Sequence, residues 1–199
     1  MRGFWGLMAT MATLAGAGVA LDGAELAWRG LSVRVYDSAG VAKATLRTAL
    51  DAAAQTLRPA DVEVTWVTCS TSSGGRCTVP LGRGELIVRL VRSPSQAAVQ
   101  GDESLGTALV DPATGTGVLA TVFVDRVERL AGRSDGDFGI LLGRAMAHEI
   151  GHLLMGRAAH TGAGLMRPRW TRAEIARNAT ADWRFSGLDV REIRGRRGM

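Results

Sequence analysis

Lysine is almost absent from this 199-residue sequence: Lys43 is the only one, and arginine carries the rest of the positive charge. The formal net charge is +5, yet aromatic residues make up only 5% of the chain. They do not alternate with basic residues, as they do in proteins that stack single-stranded nucleic acid. The basic residues cluster only near the C-terminus, at Arg191, Arg194, Arg196 and Arg197. The composition therefore argues against specific nucleic-acid binding and leaves a general attraction to anionic surfaces.

Long hydrophobic runs are also lacking, with one exception at the N-terminus. Arg2 precedes an uncharged, mostly apolar stretch, residues 3–21, which ends in small residues with Gly-Val-Ala at 18–20. This is the layout of a secretory signal peptide. We therefore assign residues 1–21 to a signal peptide and expect residues 30–199 to form one secreted or periplasmic domain, with no membrane contact after cleavage. An uncleaved anchor is the alternative, since the stretch is nearly long enough to span a bilayer.

Cysteine occurs twice, at Cys69 and Cys77, on either side of a Ser/Gly-rich segment. In an oxidising compartment such a pair is expected to form a disulfide that closes the intervening loop. The alternative is a pair of zinc ligands, but that reading needs a second cysteine pair, and the sequence has none.

Hydrophobic periodicity predicts a mixed β-sheet packed on helices, an α+β fold. Residues 41–57 carry apolar positions at helical spacing opposite a polar face, which predicts an amphipathic helix. The segments with strand-like patterns are Leu31–Asp37, 62–69, Glu85–Val91, Gly106–Asp111 and 118–125. The last two flank a Gly-rich turn and are expected to pair as a hairpin.

Histidine is scarce, and all three histidines fall between positions 148 and 160. His148, Glu149 and His152 form the pattern His-Glu-x-x-His. On a helix, positions i and i+4 share one face, so both imidazoles can bind one metal ion while Glu149 reaches a metal-bound water. The surrounding segment Phe138–Met155 is apolar almost throughout, which predicts a helix buried within the domain.

Local signals mark where helices begin and end in this half of the chain. Ser134 and Asp137 have the spacing of a capping box ahead of the histidine helix, and Gly156 is placed to end it. Thr171 with Glu174, and Ser186 with Asp189, have the same spacing and predict two further helix starts.

The stretch from His148 to Met166 resembles the metzincin zinc metallopeptidases, whose motif reads His-Glu-x-x-His-x-x-Gly-x-x-His. The resemblance implies a zincin-like fold with a buried active-site helix and one catalytic Zn²⁺. His148, His152 and His160 would be the zinc ligands and Glu149 the general base.

Two further residues match features of that family. Gly156 would form the bend after the helix, and Met166, in Gly-Leu-Met, would be the methionine of the turn beneath the metal. Gly156 lies one residue further from His152 than in the family pattern, and His160 lies two residues further. Glu174 is an alternative third ligand, as in the gluzincins, although the capping box explains it equally.

We therefore expect a secreted zinc-dependent endopeptidase in which zinc activates a water molecule and Glu149 takes its proton. Its partner would be a peptide or protein substrate. The resemblance implies that substrate pairs with an edge strand, for which residues 118–124 are considered beside the alternative of an ordinary core strand. Other readings are a catalytically silent zinc-binding module and a zinc amidase acting on a non-peptide amide; the oligomeric state stays open.

Some neighbouring side chains have two interpretations. Arg157, Arg167 and Arg169 are either stabilisers of the reacting oxyanion or surface charges. Trp170 is expected in the core rather than in a substrate-binding wall.

Overall fold

The computed structural model of the protein describes residues 30–70, 74–93 and 104–196. The predicted signal peptide, residues 1–21, lies outside the described residues. Within the described ranges, no helix has both the length and the apolar character that crossing a bilayer requires.

The fold is a mixed α/β arrangement built on one five-stranded sheet, with strand order β2-β1-β3-β5-β4. The first four strands in this order are parallel, and β4 pairs antiparallel with β5 as the predicted hairpin. The strands are β1 Leu31–Asp37, β2 Val64–Cys69, β3 Glu85–Val91, β4 Gly106–Asp111 and β5 Thr116–Phe123. The predicted bounds of β1, β3 and β4 are confirmed.

The α-helices of the described residues are α1 Lys43–Leu57, α2 Val124–Arg133, α3 Phe138–Met155, α4 Arg172–Arg177 and α5 Gly187–Gly195. The bounds of α3 are confirmed, and the amphipathic α1 begins two residues later than the predicted 41–57. Helix α2 was not predicted because β5 runs into it without a turn residue. Its buried residues Val124, Val127 and Ala131 follow helical spacing, but Val124 also continues the apolar pattern of the strand.

The capping box predicted at Ser134 is wrong, whereas the two later ones are confirmed. Asp137 itself is the N-cap of α3, and its carboxylate accepts a hydrogen bond from the Ile140 amide at 2.8 Å. Ser134 instead follows the last residue of α2. Ser134 therefore lies at the end of α2 and Asp137 at the start of α3, because only one short turn separates the two helices. Thr171 with Glu174 caps α4, and Ser186 with Asp189 caps α5.

The disulfide between Cys69 and Cys77 is present, and the segment it fastens helps to cover one face of the sheet. Arg34 of β1 is 3% exposed, donates to the Val79 carbonyl at 2.6 Å and pairs with Glu85. Although β1 alternates apolar and polar residues, Ser32 and Arg34 are buried as well as Leu31, Val33 and Val35. The arginine can be buried because the chain after Cys77 supplies hydrogen-bond acceptors to it.

Helices α1 and α3 cover the other face of the sheet and pack against each other with the main hydrophobic core between the layers. Their backbones come very close at Gly143 of α3. A Cβ atom there would lie 2.2 Å from the Ala49 carbonyl oxygen and 2.8 Å from the Ala52 Cβ. Because the nearest atom belongs to backbone, the helices must separate to admit any side chain.

We predict that Gly143→Ala lowers the free energy of unfolding by about 1–3 kcal/mol, the usual effect of overpacking a core. Urea denaturation followed by circular dichroism measures this change. Gly132→Ala is the matched control: Gly132 lies in α2 with no atom within 4 Å of its built Cβ. It should raise stability by about 0.4–1 kcal/mol. Equal stability of Gly143→Ala and wild type would contradict the close helix packing.

Candidate metal centre

Helix α3 places His148, Glu149 and His152 on consecutive turns near the end of a buried helix. His148 is 8% exposed and His152 is 5% exposed. Their Nε2 atoms lie 3.1 Å apart, because residues four apart on a helix stack on the same face.

Each of these histidines is oriented by a backbone carbonyl. The Nδ1 atom of His148 lies 2.9 Å from the Leu165 oxygen, and that of His152 lies 2.9 Å from the Arg157 oxygen. A carbonyl oxygen only accepts hydrogen bonds, so Nδ1 carries the proton in both rings. Both Nε2 atoms therefore present lone pairs, and these lone pairs converge on one point.

At neutral pH neither imidazole carries a second proton that could form a hydrogen bond between the two Nε2 atoms. Burial lowers the pKa of His148 to about 3 and that of His152 to about 4, so both rings are neutral. Two acceptor atoms 3.1 Å apart repel each other unless a cation lies between them. Two nitrogen ligands each about 2.0–2.1 Å from one tetrahedral zinc ion lie about 3.3 Å apart. The two imidazoles therefore fit a shared metal ion.

His160 completes a cluster of three histidines. Gly156 ends α3 in the left-handed conformation, with φ of 63°, and the chain turns back from there. The ring of His160 lies with its centroid 5.2 Å from that of His148 and 4.9 Å from that of His152. Ring nitrogens of the three residues lie within 4.8 Å of one another, and His160 is the exposed member. This cluster could hold a metal ion.

The alternative third ligand, Glu174, is not in this cluster. Its carboxylate accepts hydrogen bonds from the Thr171 amide at 2.8 Å and the Thr171 hydroxyl at 2.7 Å. Arg167 lies 3.4 Å from the same oxygen. The capping box thus accounts for Glu174, and His160 is the residue that joins the other two histidines.

Glu149 follows His148 on α3 and lines the same cleft as the three histidines, and strand β4 determines where its carboxylate can lie. A Cβ atom at Gly106 would be 2.7 Å from Oε1 of Glu149 and 2.6 Å from the Thr121 carbonyl oxygen. Any side chain at 106 would therefore displace the carboxylate. Gly106 was not predicted to be part of the site. The only sequence signal for it was a glycine at the start of a predicted strand, where a glycine often marks the close approach of another group to the backbone.

The segment around Met166 passes beneath the two buried histidines. Gly164 has φ of 70°, and Leu165 is held by an amide hydrogen bond to the Arg184 carbonyl at 2.8 Å. Met166 is fully buried. A Cβ atom at Gly151, between the histidines in sequence, would lie 2.9 Å from the Met166 sulfur. The glycine thus allows the methionine to pack directly against the helix.

A cleft of about 840 Å³ opens above the histidines. Residues 104–108 form one wall of the cleft. The other wall includes Ala158, His160 and residues 167–170. Strand β4 is an edge of the sheet, whereas β5 lies between β3 and β4. The expectation that residues 118–124 form the substrate-binding edge is therefore wrong. Residues 118–123 belong to the internal strand β5, Val124 begins α2, and β4 is the strand beside the cleft.

The neighbouring residues divide between core and cleft. Trp170 packs edge-on against His148 and Trp183, with centroids 5.9 Å and 5.1 Å apart, and also lines the cleft. Arg167 and Arg169 line the cleft as well. Arg157 instead pairs with two acidic residues of α5, which makes it a structural residue.

Asp189 of α5 holds the segment that carries His160. Its side chain is 0% exposed and lies 3.3 Å from Nη2 of Arg157 and 3.5 Å from the Thr161 hydroxyl. These two residues flank His160 in sequence, and the Arg157 carbonyl also orients His152. One buried carboxylate therefore supports two of the three histidines.

We predict that Asp189→Ala weakens Zn²⁺ binding about 10–100-fold, the usual effect of removing a group that orients ligands. Competition with a chromophoric chelator measures this affinity. Asp182→Ala is the control, since Asp182 forms an exposed pair with Arg177 and should change affinity by less than about twofold. Unchanged affinity in Asp189→Ala would show that the segment keeps its position without this carboxylate.

Burial raises the pKa of Glu149 to about 8, which predicts a pH-dependent stability of the metal-free protein. The folded state holds the proton more tightly than the unfolded state, whose pKa is near 4.5. The stabilisation is complete below pH 4.5 and disappears as the pH rises through 8. Wild type should therefore lose roughly 1 kcal/mol per pH unit between pH 6 and 8 relative to Glu149→Gln, measured by urea unfolding in EDTA. Parallel pH profiles for the two proteins would contradict the burial of this carboxyl.

No protein-family model matches the chain, and no curated protein matches it either. The description of the candidate metal centre therefore rests on the positions of its own residues. Two neutral imidazoles are oriented by backbone carbonyls, a third lies beside them, and a buried carboxylate faces the same open cleft.

Proposed function

We propose that the protein is a zinc-dependent endopeptidase of the zincin type, related in design to the metzincins. The observation that carries the proposal is the convergence of two neutral Nε2 atoms 3.1 Å apart, next to a buried glutamate at the base of a cleft. His148, His152 and His160 would hold the zinc ion. Three protein ligands leave one position for water, as is usual in catalytic rather than structural zinc sites.

Bound zinc would lower the pKa of a water molecule and polarise the substrate carbonyl. Glu149 is the residue available to take the proton from that water and to deliver it to the leaving amine. Burial makes its carboxyl hold a proton readily, whereas a neighbouring cation favours the ionised form. These opposing effects suit a group that must first accept a proton and then release it.

Substrate would bind along the edge of β4. An edge strand presents unpaired backbone groups, to which an extended peptide can add as a further strand. The position of β4 beside Glu149 supports this assignment. Hydrogen bonds to the substrate backbone would give affinity without selecting a particular side chain.

The Met166 turn and the disulfide support the rest of the proposal. The methionine lies under the histidine helix in the way that the metzincin resemblance implies. A disulfide is typical of proteins outside the reducing cytosol, which supports a secreted or periplasmic location. A silent zinc-binding module is less well supported, because Glu149 has no ion-pair partner among the described residues and such a module does not need it.

The test is digestion of a diverse peptide mixture by zinc-loaded protein, read by mass spectrometry beside metal content. We expect wild type to cleave and Glu149→Ala to keep its zinc while losing about 10²–10⁴-fold in rate. His148→Ala should lose both zinc and activity. Glu128→Ala is the control, because Glu128 is an exposed glutamate of α2 and should retain full activity. Zinc-loaded wild type that cleaves no peptide would overturn the proposal.

A further inference from the structure

We infer that the cleft selects substrates with a carboxylate side chain on the C-terminal side of the scissile bond. The inference rests on the proposed peptidase function and extends it to a class of substrate.

The direction follows from the contacts between β4 and α3. Gly106, the first residue of β4, lies against Glu149. Gly117 of β5, which lies close to the Leu109 carbonyl nearer the turn of the hairpin, lies against Leu153. Strand β4 and helix α3 therefore run the same way past the metal centre. Antiparallel pairing is the more stable arrangement for an added strand. A peptide bound antiparallel to β4 therefore runs from the Leu109 end, past Glu149, towards residues 104 and 105.

The C-terminal part of such a peptide enters the half of the cleft beyond Glu149. This half is bounded by the end of α2, by Ala145, one turn before Glu149 in α3, and by the segment that carries Trp170. Trp170 contacts Trp183, which in turn lies 4.0 Å from the Arg144 guanidinium. Trp170 and its neighbours are thus on the Ala145 side of the histidines.

The charged residues of this half are arginines. Arg133, Arg167 and Arg169 line the cleft, and Glu149 is the only acidic residue among the described residues that line it. Arg167 is held by a hydrogen bond to the Asp182 carbonyl at 2.9 Å, and Glu174 partly offsets its charge.

Arg169 has no such compensation. It is exposed and forms no hydrogen bond or ion pair with any residue in the described part of the chain. Arg133, at the end of α2, is also exposed to solvent, although it has an interaction of its own. Arginine binds carboxylates through paired hydrogen bonds of favourable geometry. A glutamate or aspartate of the substrate would therefore gain contacts here that a neutral residue would not.

The test separates peptide selection from catalysis by measuring both. Two fluorescein-labelled decapeptides of alanine and leucine would differ only in carrying two glutamates or two glutamines in their C-terminal half. Fluorescence anisotropy with zinc-loaded Glu149→Gln measures binding without turnover, and wild type measures kcat/KM. We expect about tenfold tighter binding and about tenfold higher kcat/KM for the glutamate peptide at low salt, and a smaller ratio at 0.5 M NaCl.

The double variant Arg133→Gln/Arg169→Gln should reduce the glutamate-to-glutamine ratio to within about twofold. The matched control is Arg172→Gln/Arg191→Gln, which removes the same charge from two exposed positions that do not line the cleft, and it should keep the glutamate-to-glutamine ratio of the wild type.

Cleavage without any preference for glutamate, or a preference that survives the double variant, would overturn the inference alone. A binding preference without cleavage by wild type would support the charged cleft and count against the peptidase. Absence of both binding and cleavage would overturn both.

Discussion

Two hydrogen bonds from imidazole Nδ1 atoms to backbone carbonyls determine the character of the candidate metal centre. They fix the tautomer of His148 and His152, and burial keeps both rings neutral, so two lone pairs must face each other inside the protein. The energy of that arrangement is unfavourable unless a cation is bound. Residues on several other elements make this arrangement of side chains possible. Gly151 lets Met166 pack beneath the helix, Gly106 makes room for Glu149, and the α5 helix supports the segment that carries His160.

Much of the fold was predictable because its signals are local. Strand-like patterns marked β1, β3 and β4, and an almost entirely apolar segment between a polar turn and Gly156 gave the bounds of α3. The failures have a common physical cause, which is that neighbours distant in sequence decide the outcome. Arg34 is buried by a loop more than forty residues away, and the order of strands, which makes β4 rather than β5 the edge, is a tertiary property. The capping box predicted at Ser134 was wrong because the end of α2 and the start of α3 fall within one short turn.

The candidate site shows the same division. The spacing of His148 and His152 follows from helix geometry alone, so the sequence was sufficient for this pair. The choice between His160 and Glu174 required the fold, since both lie on segments whose course after α3 is not encoded in a periodic pattern. Gly106 and Asp189 contribute through contacts with residues on other elements, and no motif in the sequence marks them as parts of the site.

The carbonyls that orient the two buried histidines belong to Arg157 and Leu165, both of which follow α3 in the chain. Synthesis delivers the polypeptide from its N-terminus, and domains fold as their segments emerge. The sheet and helices α1 and α3 can therefore assemble while the histidine rings still lack their partners. The arrangement of the three histidines is complete only when α5 places Asp189 against Arg157. Completion of the candidate metal centre is thus a late step in the folding of the chain.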